Sequence, residues 1–423
     1  MAGEWREASL TEVARITSGK RPTVLLKAPS ESCTVPVIGG GGPSGFTDAA
    51  LFNAGVLITG RVGTLGKLFV ASGPCWPSDN ALVIQPRDDG IDSHYLRYAL
   101  QMVIGEAADM NRGAANPLIT QGDLGRLSIG LPSLPEQRAI GLLLKTLDDR
   151  IEANRRMAAT LEEMARALFR AWFVTFEPVR AKAEGRWRPG QTLPGLPASL
   201  YDAFPDRLVE TEHGEIPEGW RLSTIGAEVR VAGGSTPRTE NPEFWDGDIN
   251  WATPKDLSGL TSPVLLDTAR KITKEGLTKI SSGLLPVGTV LLSSRAPIGY
   301  IAVSAVPVAV NQGLIGLICD GALSNAFVWI WTGENMPAIL SKANGSTFQE
   351  VSKANFRPIP VVVPNEPVIR AFDRQTQPIL ARIVTCERER VTLAALRDTL
   401  FPELVSGTIR VKDAEAFLKA RGL

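Results

Sequence analysis

The feature that most constrains this chain is that it is written twice, and internal repeats decide architecture before any local pattern does. With Trp5-Arg6 set on Trp220-Arg221, an offset of 215, Arg15 meets Arg230, Gly19 meets Gly234 and Pro22 meets Pro237. Further on, Gly60-Arg61 falls opposite Ser294-Arg295, and Asn80 near Asn311. A second block runs at an offset of 232. It sets Gly113 on Gly345, Pro132 on Pro364, Pro135 on Pro367, Arg138-Ala139 on Arg370-Ala371, Arg150-Ile151 on Arg382-Ile383 and Leu168-Phe169 on Leu400-Phe401. Leu-rich helices match by chance at a few positions, but they do not keep one register from Gly113 to Phe169.

Each copy opens with a Gly/Pro-rich, β-branched part, 5–134 and 220–366, and closes with a helix. Val56-Leu-Ile58, Leu82-Val-Ile84, Thr289-Val-Leu-Leu292 and Pro360-Val-Val-Val363 read as strands between turn signals. The expected organisation is α+β. A strand-rich domain at 1–134 precedes a helix at 135–176 and a linker region at 177–219, and a second domain at 220–366 precedes a helix at 367–404 and a tail at 405–423.

The helices carry a seam. Ile140, Leu144, Leu147, Ile151, Asn154, Ala158, Leu161, Ala165, Leu168 and Trp172 alternate steps of four and three, the a/d spacing that puts them on one stripe facing a partner helix. Pro135-Glu136 suits a helix start. Asn154 is either a register-fixing polar residue or a solvated edge position. The second seam is Ile379, Ile383, Cys386, Leu393, Leu400 and Leu404, interrupted by Thr376, Arg390 and Arg397. Pro378 is expected to kink or restart this helix, and Pro402 to end it. The candidate partner-binding residues are Leu144, Leu147, Ile151, Asn154, Leu161, Leu168, Trp172, Ile379, Ile383, Leu393 and Leu400. About 37 residues at ~1.5 Å each make a rod of roughly 55 Å. Two such rods in one chain can pair with each other. Running antiparallel, they would place the strand-rich parts at opposite ends. A coiled coil that binds only protein is the generic alternative.

Composition narrows the function. Lys plus Arg number 45 and so do Asp plus Glu, so the net charge is zero. That argues against solitary binding to bare nucleic acid, where phosphate neutralisation needs a cationic surplus. Any positive charge is local or supplied by partners. Cys33, Cys75, Cys319 and Cys386 lie far apart, which fits a reducing cytoplasm and indicates neither a zinc site nor a disulfide framework. The charged stretch Met1–Glu7 is unlike a signal peptide. The apolar run Ile298–Ile318 is broken by Pro307, Asn311 and Gln312, and reads as buried strands, not a membrane span.

Catalytic motifs are missing. The nearest approach to a phosphate-binding G-x-x-x-x-G-K-[ST] loop is Gly60 to Leu68, with the wrong spacing. Asn116-Pro117 does not continue into a methyltransferase motif, and His94 and His213 are solitary. No nucleophile–base arrangement or metal-ligand cluster can be assembled. The Gly39–Gly42 run is either a phosphate cradle or a flexible turn. The expectation is a chain with no catalytic site, against the alternative of a free-standing nuclease or methyltransferase.

The junction Leu168-Phe-Arg-Ala-Trp172-Phe-Val-Thr-Phe176-Glu-Pro178, continuing to Phe204-Pro-Asp206 and Gly214-Glu-Ile-Pro-Glu-Gly-Trp220, resembles the central region of type I restriction–modification specificity subunits. Leu131-Pro-Ser-Leu-Pro135-Glu-Gln137-Arg is similar to the motif that opens their helices. Gly233-Gly-Ser-Thr-Pro237, Trp251-Ala-Thr-Pro-Lys255-Asp256 and Ser294-Arg295-Ala-Pro-Ile-Gly299 resemble landmarks of their target-recognition domains, and Phe401 to Val411 their C-terminus. The resemblance covers nearly the whole chain. The first copy departs from it, with Pro36-Val-Ile-Gly-Gly40 where the Trp landmark would stand, and the second helix opens on Pro364-Asn-Glu-Pro367 instead of Glu-Gln.

The resemblance implies two target-recognition domains that each read half of an interrupted, asymmetric site on double-stranded DNA. A rod of roughly 55 Å is comparable to one to two DNA turns, at about 34–36 Å each. It also implies two modification (methyltransferase) subunits docked on the helices and two ATP-driven restriction (translocase) subunits. S-adenosylmethionine, ATP and Mg2+ are then expected on those partners and not on this chain. Loops carrying Arg, Lys, Asn and Gln are the expected base and phosphate contacts. The candidates are Lys20, Arg21, Arg61, Asn80 and Arg112 in the first copy, and Thr236, Arg238, Lys255, Arg295, Asn311, Gln312 and Asn344 in the second. The pairs Arg61/Arg295 and Asn80/Asn311 could equally be framework residues. Arg180, Lys182, Arg186 and Arg188 form a basic run that is either a solvated connector or a phosphate or partner contact.

Overall fold

The repeat folds twice into the same frame. The computed structural model describes residues 5–53, 55–62, 65–109, 118–212, 214–295, 297–345 and 349–419. The chain divides into two units, Met1–Ile151 with Thr392–Leu423, and Glu152–Val391, so each unit holds one head and a stretch of both long helices.

In the first unit the head is entered and left through one antiparallel pair, β1 (Arg6–Ser9) and β9 (Ser128–Leu131), with Arg6 opposite Leu131. Between them lie β2 (Ala14–Ser18), β3 (Val35–Gly39), β4 (Gly42–Thr47), β5 (Val56–Gly60), β6 (Leu68–Ala71), β7 (Trp76–Pro77) and β8 (Ala81–Pro86). They form a sheet in the order β2-β8-β5-β6 and another in the order β4-β3-β7. β5 is buried from end to end, which is why Val56-Leu-Ile58 is continuously apolar instead of alternating.

The second unit contains the hairpin β10 (Leu208–Thr211) and β11 (Gly214–Pro217), then a head framed by β12 (Arg221–Thr224) and β21 (Pro360–Val363). Arg221 pairs with Val363 as Arg6 does with Leu131. Inside are β13 (Arg230–Gly233), β14 (Trp245–Ala252), β15 (Val264–Leu265), β16 (Arg270–Ile272), β17 (Val290–Ser293), β18 (Ile301–Ser304), β19 (Val308–Val310) and β20 (Leu314–Ile318). The sheets run β13-β20-β17-β18-β15 and β16-β14-β19. Apart from β15, which extends the larger sheet of the second head and has no counterpart in the first, the strands repeat the first head, including the parallel pair β3/β7, here β14/β19. The apolar run Ile298–Ile318 supplies β18 to β20, and among the described residues no helix is long and apolar enough to cross a membrane.

The long helices span Leu134–Phe169 and Glu366–Ser406. In the first unit Asp148 meets Arg397 and Glu136 meets Arg410, so the two helices run in opposite directions there. Leu144, Leu147, Leu393 and Leu400 are buried in that unit's core with Tyr95, Leu96 and Leu100 of the helix Ser93–Asp109, and Ile151 packs at its edge. In the second unit Trp172 and Ile383 are buried, Leu161, Leu168 and Ile379 pack partly buried against them, and Asn154 is half-buried. Six of the seam residues proposed to bind partners, Leu144, Leu147, Trp172, Ile383, Leu393 and Leu400, are therefore consumed inside the chain, and the other five stay half-buried. The interrupting Thr376 is buried and donates its hydroxyl to the Phe372 carbonyl, which satisfies it within the helix.

Two expectations about the second helix are corrected. It does not restart at Pro378, because buried Phe372, Leu380 and Ile383 on either side hold it against the core. Nor does it end at Pro402; it runs to Ser406 and stops at Gly407, whose φ of 78° is the left-handed value that terminates helices. The region 177–219 is not a bare connector. The first helix passes through a wider turn at Arg170–Val174 and breaks at Phe176, which adopts φ 53° and precedes a short helix, Glu177–Ala183. Trp187, Leu200 and Phe204 are then buried in the second unit's core. Its basic run is engaged internally: Arg180 on Glu215, Arg186 on Glu177 and Glu184, Lys182 on the Tyr201 and Phe204 carbonyls, and Arg188 on the Gly185 carbonyl.

Candidate nucleic-acid interface

Matching backbone hydrogen bonds establish which residues of the two heads are equivalent. A Cβ on Gly19 would sit 2.2 Å from the Ser78 carbonyl oxygen, and one on Gly234 1.6 Å from that of Val310, so the chain passes too close for any other residue. The next amides, Lys20 and Ser235, donate to the Pro77 and Val310 carbonyls. The Lys20 carbonyl accepts from the Trp76 indole at 2.7 Å, and the Ser235 carbonyl from the Trp251 indole at 3.2 Å. Trp76 lies on β7 but Trp251 on β14, so one bond is built from two different strands. Ser78 and Asn311 donate to Ile38 and Ala252; Arg61 and Ser294 donate to Asn80 and Gly313.

These bonds correct the register read from the letters. Arg61 corresponds to Ser294, and Arg295 to Val62, a slip of one residue that turns an extended side chain to the other face. Asn80 corresponds to Gly313, and Asn311 to Ser78. Neither Arg61/Arg295 nor Asn80/Asn311 is a repeated pair.

In the first head the frame borders a cleft of about 760 Å3, lined by Arg21, Ser44, Ser78, Asp79, Asn80 and the Gly39–Gly42 run. That run is the turn of the β3/β4 hairpin, with Gly42 at φ 113°. A Cβ on Gly40 would meet the Asn80 carbonyl and the Gly60 Cα, each at 3.1 Å, so the glycines let the hairpin lie close to the neighbouring loops. Arg21, Asp79 and Asn80 are exposed; Lys20 is exposed with its backbone tied down; Arg61 is half-buried. Arg112 lies outside the described residues.

In the second head the place of the glycine hairpin is taken by a short helix, Pro254–Ser258, closed by a capping box between Thr253 and Asp256. Pro254 lies against Gly313, its Cγ 2.9 Å from where a Cβ would be. Lys255 is exposed on this helix. Thr236 donates its hydroxyl to Gln312 Oε1 at 2.6 Å, and both residues are exposed. Arg238 is exposed, its carbonyl bound by the Trp245 indole. Arg295 pairs with Glu350 at 3.6 Å, and Asn344 exchanges both backbone hydrogen bonds with the same residue. Asn311 turns its Oδ1 inward to the Gly313 amide at 2.9 Å, a bond that shapes the loop. Sequence reasoning missed Arg270, whose guanidinium stacks 3.5 Å over the Trp245 ring, and Asp79, which shares the cleft with Arg21.

The two heads thus share a backbone frame and differ in the side chains it displays. The family model described as "Type I restriction modification DNA specificity domain" matches residues 2–163 and again 217–379. The chain belongs to this family. It is a non-catalytic specificity subunit of the type I restriction–modification kind. It is 26% identical over 335 residues to the HindI specificity subunit of Haemophilus influenzae, covering 71% of this chain and 72% of that one. It is 37% identical over 158 residues to the MjaIX specificity subunit of Methanocaldococcus jannaschii, covering 37% of each. The crystal structure of the type I system S subunit from M. genitalium superposes with a TM-score of 0.65 at 16% identity, over 95% of this chain and 96% of that one, and shares the fold.

Proposed function

We propose that each head reads one half of an asymmetric, interrupted site on double-stranded DNA, and that the long helices join the heads and dock the modification subunits. One observation carries this reading: a single chain holds the same frame twice, with a glycine hairpin and open cleft in one copy and a capped helix in the other. Equal frames with unequal loops suit two half-sites of unequal sequence. Side chains on loops discriminate base edges in the major groove, while the shared frame fixes their position.

With the seam buried, docking falls to the outer helix surfaces. Leu142 is exposed in the first unit, and Met157, Met164 and Val391 in the second. Two methyltransferase subunits occupy these faces and two restriction subunits join them. S-adenosylmethionine, ATP and Mg2+ belong to those partners. The balanced charge, 45 basic against 45 acidic residues, fits a subunit that grips DNA together with its partners. The test is single-molecule mapping of methylated bases in the host genome with and without this gene. Loss of one bipartite, non-palindromic motif on deletion is expected; an unchanged map contradicts the reading.

A further inference from the structure

Resting on the reading just given, we propose that the base-discriminating positions are one equivalent pair in each head: Arg21 with Asp79 in the first, Thr236 with Gln312 in the second. The equivalence follows from the frame. Lys20 and Ser235 occupy one backbone position, as do Ser78 and Asn311, so the residues that follow them correspond. Arg21 therefore matches Thr236, and Asp79 matches Gln312. Their neighbours are held alike in both heads, by the close-packed Gly19 and Gly234 and by the indole bonds of Trp76 and Trp251. All four side chains are exposed. Invariant backbone under divergent exposed side chains is what two readers built from one duplicated domain require.

Three of the other candidates are engaged in ways these are not. Asn311 caps its own turn, Arg295 lies beside Glu350, and Asn344 is tied through its backbone. Among the described residues, Arg21 and Asp79 form no hydrogen bond or ion pair with another side chain although they line one cleft. An arginine donates to guanine O6 and N7, and a carboxylate accepts from cytosine N4, so together they suit a G·C pair. In the second head the Thr236 hydroxyl donates to Gln312 Oε1, which orients the amide. Its Nε2 is left to donate and its second Oε1 lone pair to accept, the arrangement that matches adenine N7 and N6.

The experiment maps methylated bases by single-molecule sequencing for the full chain expressed with its modification subunits. It compares wild type with Gln312→Ala, Gln312→Glu, Arg21→Ala and Arg21→Lys. Gln312→Ala is expected to lower discrimination at one A·T pair of one half-site by about 5- to 150-fold, leaving the other half-site intact. Arg21→Ala is expected to relax one G·C pair of the other half-site by a similar factor. Gln312→Glu keeps the acceptor that Thr236 binds but removes the donor, and shifts preference towards cytosine opposite that side chain. Unchanged motifs, or a change in both half-sites from one substitution, overturn the proposal. So does loss of all methylation in both variants at a position. A wild-type map without a bipartite motif ends the underlying reading as well. A bipartite wild-type motif with unmoved half-sites ends only this assignment.

Discussion

Replacing Asp148 by Asn tests whether the first head and both long helices form one cooperative unit. The carboxylate receives Arg97 Nη2 at 3.0 Å and the Tyr98 hydroxyl at 2.7 Å on Oδ2, and Arg397 Nη1 at 3.0 Å on Oδ1. Arg97 and Tyr98 come from the head's helix, Asp148 from the first long helix and Arg397 from the second. An amide turns its oxygen to the Arg97–Tyr98 side and its NH2 towards Arg397, donor against donor. A hydrogen bond to a charged group is worth about 1.5–3 kcal/mol. The Arg397 side chain is 31% exposed, so water takes over part of its loss, and a net cost of about 2 kcal/mol follows. For a unit of this size that lowers Tm by about 4–8 °C. The assay is thermal unfolding of the full chain, with a double-mutant cycle against Arg397→Met. The expected coupling is about 1–2 kcal/mol. A Tm within about 1 °C of wild type, or additive single effects, would mean that the head and the two helices are not coupled through Asp148.

Two further perturbations follow from the same geometry. Gly234→Ala sets a Cβ 1.6 Å from the Val310 carbonyl, so the backbone must shift. Thermal unfolding should show a loss of about 2 kcal/mol or more, and methylation mapping should show weakened reading of one half-site only. Burial raises the Asp373 carboxyl above its usual range, against the lowering effect of its Ser324 hydrogen bond. A raised acid favours the folded state when protonated, and that contribution fades as pH rises from about 4 through the folded value. Asp373→Asn should therefore raise Tm at pH 7, with the gain vanishing as pH falls to about 4. An equal gain at both pH values would contradict the burial argument.

Most of the fold was legible because its signals are long. The doubled sequence, the heptad steps from Ile140 to Trp172 and the buried apolar runs each extend over many residues, so single exceptions do not obscure them. The site was less legible because it depends on single-residue register. Matching Arg61 to Arg295 by letter is one residue from the match the backbone makes, and nothing in an ungapped comparison reveals the slip. Asp79 was passed over because an acid is not an obvious DNA contact; only the cleft it shares with Arg21 draws attention to it. The central region was misread for a different reason. Its Trp187 and Phe204 lack a period of their own and are buried by tertiary packing alone. Pro402 misled because proline is a poor helix residue, yet the helix runs on to Ser406 and ends only at Gly407.

If the heads are interchangeable readers on one frame, one can stand in the other's place. Both enter and leave through a matched antiparallel pair, Arg6 opposite Leu131 and Arg221 opposite Val363, which makes 5–131 replaceable by 220–363. Mapping methylated bases with that duplicated-head chain measures this directly. A motif in which the second half-site appears twice and the first is gone is expected. Persistence of the native first half-site would contradict it.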